Sequence, residues 1–175
     1  MAQRQAERRT NRATRRRRWA AAVVVLVVVA GTVGYFAYRA AADLPGTKAS
    51  DQGNRHVQNS ESHEPYNTDP PTSGPHLPYI APWGVHTRPV QLELQVHNLE
   101  DGGVVVQYNC ECSELVDQLK KIVQSYDKQF ILAPYPSMKP RIALTAWTRI
   151  DAFENFDERR IRRFIDAYRG IDHHR

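Results

Sequence analysis

Twenty consecutive residues without a charge, Trp19 to Tyr38, constrain this chain more than any other feature. The stretch is mostly Ala and Val, with Leu26 and Phe36 among them. As a helix rising about 1.5 Å per residue it spans roughly 30 Å, the hydrocarbon thickness of a bilayer. Trp19 at one end and Tyr35 and Tyr38 at the other sit where amphipathic rings favour the membrane interface. Eight arginines and one acid, Glu7, precede the stretch, and a lone Arg39 follows it. The positive-inside rule then predicts a cytoplasmic N-terminus and an extracytoplasmic C-terminal domain on a single membrane pass. Arg15, Arg16, Arg17 and Arg18 are placed to meet anionic lipid headgroups. A cleaved signal peptide is the competing reading, because Ala40 to Ala42 offer a small-residue cleavage pattern. The apolar run exceeds the usual length of a signal h-region, which favours an uncleaved anchor.

Charge sharpens this division. The segment up to Arg18 carries +7 while the whole chain carries only +5, so everything after Arg18 is close to −2. The basic balance belongs to the tail, and nucleic acid is not an expected partner of the domain. Four zones follow: a basic tail over 1–18 expected to lack order, a transmembrane helix over 19–38, a flexible linker over 39–62, and an exported domain over 63–172.

Within the domain, seven prolines between Pro65 and Pro89 exclude regular helix and predict an ordered loop wrapped over the core, pinned by Tyr66, Tyr79 and Trp83. Leu92, Leu94 and Val96 then alternate with Glu93, Gln95 and His97, and Val104 to Val106 follow the Asp101-Gly102 pair. That pattern predicts a β-hairpin. Ser113 reads as an N-cap for a helix burying Leu115, Leu119, Ile122 and Val123. Strands are expected at Phe130 to Ala133 and Ile142 to Trp147, and a second helix from Asp157 buries Ile161, Phe164, Ile165 and Tyr168 before Gly170. The expected fold is α+β, in the order β-β-α-β-β-α, with helices on one face of a mainly antiparallel sheet.

The words PYNTDPPTSGPHLPYIAPWGV and VHNLEDGGVVVQYNC, with LAPYP and ALTAW later in the same order, closely resemble the bacterial family called Domain of Unknown Function 3105. The resemblance covers roughly His63 to Tyr168 and implies a membrane segment followed by one exported domain, with no assigned activity. Where members typically read His-Asn-Leu-Glu-His-Gly, this chain has Asp101 in place of the second histidine.

The sharpest functional candidate is a divalent metal centre, zinc or copper, built from His76 and His97 with His63 or Asp101 as further ligands. The alternative reading has His76 and His97 bonding carbonyls of the proline-rich wrap, with Asp101 only a turn residue. A hydrolytic arrangement would take Ser73 or Thr72 as nucleophile, His76 or His97 as base and Glu100 or Asp101 as orienter; no nucleophile elbow surrounds Ser73, and an enzyme is not the expected outcome. Cys110 and Cys112 read as a local disulfide, or else a soft-metal or redox pair. Two functions are expected from these features: an envelope domain binding a metal or small ligand at the His76 and His97 junction, or a non-enzymatic module docking another envelope protein.

Overall fold

A computed structural model describes residues 2–174, and the chain divides into two compact units, Met1–Leu44 and Pro45–Arg175. The first unit is helix α1 (Ala2–Ala42). Its apolar part, Arg18–Arg39, has a mean hydropathy of 2.3 and is long enough to cross a membrane. The basic tail, expected to lack order, continues the same helix. Arg, Ala and Gln are good helix formers, and a helix already nucleated in the apolar run propagates at one hydrogen bond per residue. The side chains of Arg15 to Arg17 lie outside the described residues.

The second unit is α+β, built on a six-stranded sheet in the order β1-β6-β5-β3-β4-β2. Its strands are β1 (Thr47–Lys48), β2 (Gly84–Val85), β3 (Val104–Tyr108), β4 (Phe130–Pro134), β5 (Ile142–Ala146) and β6 (Arg149–Phe153). Three helices accompany them: α2 (Leu92–Glu100), α3 (Ser113–Val123) and α4 (Glu158–Tyr168). The sheet is mixed, because α3 carries the chain from β3 to a parallel β4. A parallel neighbour requires such a crossover, and central strands covered on both faces read as continuous apolar runs such as Val104-Val105-Val106.

Successive residues of β3 serve two cores. Val104, Val106 and Tyr108 join the stripes of α3 and α4 in one cluster, whereas Val105 joins Val96, Leu99, Ile131 and Trp147 in another on the opposite face. Both expected stripes, Leu115-Leu119-Ile122-Val123 and Ile161-Phe164-Ile165-Tyr168, are buried as the sequence implied. Asp157 caps α4 by accepting from the Arg160 backbone N–H at 3.0 Å. The cap of α3 is Cys112, one residue before the expected Ser113.

Three expectations change. Helices cover both faces of the sheet, since α2 packs opposite α3 and α4. The first arm of the expected hairpin is instead helix α2, and the fold gains strands β1, β2 and β6. Asp101-Gly102 does supply the positive φ that a hairpin turn needs, but spends it on a helix end. Gly102, at φ 75°, donates to Leu99 O at 3.1 Å, and Gly103 donates to Asn98 O at 2.8 Å, which is a Schellman closure. Finally, the segment expected to be a tether is part of the domain from Pro45 onward. Strand β1 pairs antiparallel with β6, and Val57 is fully buried.

Candidate metal centre

Three segments distant in sequence converge on the α2 face of the sheet. The first is the proline-rich wrap, whose run Pro70 to Leu77 is buried without a break. A chain rich in proline cannot satisfy its carbonyls by sheet pairing, so side chains and neighbouring backbone do it here. Tyr66 donates its hydroxyl to Pro75 O at 2.6 Å, and Asn98 of α2 clasps both the N–H and the carbonyl of Ala81 at 2.9 and 3.0 Å. Burial pushes the Tyr66 hydroxyl well above its ordinary pKa.

The second is residues 53–57, which run beside residues 74–76. Gly74 donates to Gly53 O, His76 donates to Arg55 O, and Val57 donates to His76 O, at 2.8 to 3.0 Å. This pairing forms a parallel bridge that sets His56 next to His76. The third is the last turn of α2, where His97, Glu100 and Asp101 stand at i, i+3 and i+4 and therefore share one face.

The result is a cluster of imidazoles. The rings of His56, His76 and His97 lie with their centroids 5.0 to 5.4 Å apart. His76 Nδ1 bonds Gly74 O at 2.8 Å and His97 Nδ1 bonds Leu77 O at 2.7 Å. A carbonyl can only accept, so each ring carries a proton on Nδ1 and turns Nε2 toward the cluster. Glu100 is treated the same way: Asn54 donates to its Oε1 at 2.7 Å, leaving Oε2 free to face inward.

Those inward atoms carry the chemistry. His76 Nε2 and Glu100 Oε2 are 3.0 Å apart, an ion pair if His76 is protonated; both side chains are at most 1% exposed, and neither atom has another hydrogen-bond partner. A carboxylate and an imidazole lone pair facing each other in a buried setting repel unless something positive lies between them. A proton on His76 would serve, with burial lowering that imidazole's pKa against the opposing effects of the Gly74 carbonyl and the Glu100 carboxylate. A cation held by the surrounding donors would serve as well. His56, His76, His97 and Glu100 each offer one ligand atom, and all four atoms lie within 4.8 Å of one another.

Of the sequence candidates, His76 and His97 meet at this cluster. Asp101 stands at its rim, with Oδ1 3.7 Å from His97 Nε2. His63 is elsewhere: its Nδ1 bonds Glu64 O, its Nε2 faces Glu93 at 3.4 Å, and its ring lies against Tyr66. Ser73 and Thr72 are buried; Ser73 Oγ accepts from Gln52 N–H and Thr72 Oγ1 accepts from Thr68, both as structural partners of the wrap. Cys110 and Cys112 are joined in a disulfide at the entry to α3. Sequence reasoning missed His56 and His174 and gave Glu100 only an orienting role. The spacing His97-x-x-Glu100 was the available signal, and it becomes visible once residues 92–100 are read as helix.

The family model for proteins of unknown function named DUF3105 matches residues 56–174, beginning at the first of these histidines. The chain belongs to the DUF3105 family. The matched region of this DUF3105 chain therefore holds the whole cluster, including His174. No curated protein matches it, and no solved structure does.

The facing acceptors give an expectation that needs no ligand. In the metal-free chain, Glu100→Gln should leave the melting temperature unchanged or raise it, because the amide can donate to His76 Nε2 while its oxygen still accepts from Asn54. If His76 and Glu100 form a native ion pair instead, the same substitution should cost about 3 kcal/mol or more, and calorimetry under chelator separates the two.

Proposed function

We propose that this protein is a membrane-anchored, extracytoplasmic binder of one divalent transition-metal ion, held by His56, His76, His97 and Glu100. The observation that carries the reading is the buried pair His76 Nε2 and Glu100 Oε2, which have no further hydrogen-bond partner and are each oriented from behind by a group that binds the other polar atom of the side chain. Backbone carbonyls behind ligating imidazoles are the usual means of fixing tautomer and ring direction at metal sites. Three imidazoles with one carboxylate suit zinc or copper over magnesium or calcium, which take oxygen ligands. Four donors complete a tetrahedral zinc shell, so the centre is suited to holding an ion more than to activating a water.

Support for the anchor comes from the apolar helix Arg18–Arg39 and from the arginine-rich tail before it. The helix retains the chain at the membrane, the tail stays on the cytoplasmic side, and the DUF3105 domain faces outward, where envelope metal ions reach it.

Full-length protein in detergent, stripped with chelator and titrated with Zn(II) or Cu(II), is expected to bind about one equivalent. His76→Ala and Glu100→Gln should each lower affinity roughly 100-fold or more, with circular dichroism unchanged. No uptake at micromolar ion by the folded wild type would refute the metal reading. For the anchor, the chain from untreated cells should stay with the membrane fraction at its full mass, and protease added to intact cells should digest the domain; a mass reduced by about forty residues before protease would show a cleaved signal peptide instead.

A further inference from the structure

A second donor group lies against the first. His97, Asp101 and His174 offer ligand atoms within 4.8 Å of one another. The two groups share His97, and that ring has one nitrogen to give, since Nδ1 is committed to Leu77 O. One imidazole nitrogen binds one ion, so the groups form a single centre with an inner and an outer side.

The outer side is delivered by a strap, residues 170–174, fastened along the end of α2. Gly170 donates to Gly102 O at 2.8 Å and His173 donates to Glu100 O at 2.9 Å. The backbone of Ile171 crosses so close to Gly102 that a side chain there would meet it at 2.8 Å. The His173 ring stacks on Trp147, with centroids 5.9 Å apart. Beyond these fastenings, Asp172 takes His174 Nδ1 at 2.7 Å and the His174 N–H at 2.8 Å. His174 Nε2 is thereby turned inward, 3.5 Å from Glu100 Oε2 and 3.4 Å from Asp101 Oδ1.

The two sides differ in how firmly their donors are held. His76 is fully buried and fixed by a backbone carbonyl, whereas the His174 side chain is 49% exposed and fixed by an exposed carboxylate. We propose that His174 is an exchangeable fifth ligand, through which the ion enters and leaves the centre. The proposal rests on the metal reading above and adds that the ion is cargo: it is passed by ligand exchange to and from an acceptor that binds the same cation, with Asp101 holding it at the rim during transfer. The buried His76, His97 and Glu100 hold the ion during exchange; His56 is exposed like His174, but His174 yields first because only the exposed Asp172 carboxylate fixes its ring.

The test uses full-length protein in detergent loaded with Co(II), a spectroscopic substitute for zinc, and compares wild type with His174→Ala. His174→Ala is expected to keep one equivalent, to change the visible d–d spectrum, and to release the ion to a chelator about tenfold faster. Added free imidazole should restore both the spectrum and the slower release, which a merely structural role would not allow. An unchanged spectrum and release rate would overturn the proposal, and so would complete loss of binding, since His174 would then be an indispensable ligand. If wild type itself binds no Co(II), Zn(II) or Cu(II), the metal reading fails, and this inference fails with it.

Discussion

The candidate site is organised around one electrostatic arrangement: His76 Nε2 and Glu100 Oε2, both buried, held 3.0 Å apart and each without a further hydrogen-bond partner. Such a pair is costly to bury unless a proton or a cation lies between the two atoms, and its surroundings hold it in place. The Gly74 carbonyl accepts from His76 Nδ1–H, Asn54 donates to the other oxygen of Glu100, and a buried run of the proline-rich wrap packs beside them. The wrap is in turn clasped by Asn98 and Tyr66 and stitched to residues 53–57 by backbone hydrogen bonds.

The sheet explains why this is possible in so small a domain. One face packs α3 and α4 in an ordinary apolar core that contains Phe164, Ile165, Leu119 and Leu144. That face supplies enough buried apolar area to hold the fold, leaving the other free to accommodate polar groups. On that second face α2 turns Gln95, His97, Asn98 and Glu100 into the interior, where a purely structural helix would place apolar residues. Conflict between local composition and burial of this kind is characteristic of functional sites.

How much of this was legible in the sequence depended on how far each signal was local. The stripes of α3 and α4, the strands at 130 and 142 and the apolar N-terminal helix were readable because local apolar pattern alone decides them. Helix α2 was misread for a physical reason: its polar residues are buried for the site, which spoils the helical stripe and leaves an apparent alternation from Leu92 to Val96. The Asp101-Gly102 signal correctly located a residue of positive φ, but hairpin turns and Schellman closures share that requirement. His76 and His97 stood out because of their unusual neighbourhood. His56 sits in a polar segment without periodicity and enters the site only through a backbone bridge to His76, while His174 reaches it through strap contacts spanning some seventy residues, as Gly170 to Gly102 shows. No local pattern encodes either contact.

X-ray absorption at the metal edge of the loaded, full-length protein addresses the central claim most directly, because it counts imidazoles around the ion without relying on mutants. The expected result is a first shell of nitrogen and oxygen at about 2.0–2.1 Å, with multiple scattering from at least three histidine rings. A shell of oxygen alone, or one containing sulfur, would contradict the assignment of His56, His76, His97 and Glu100 as the centre.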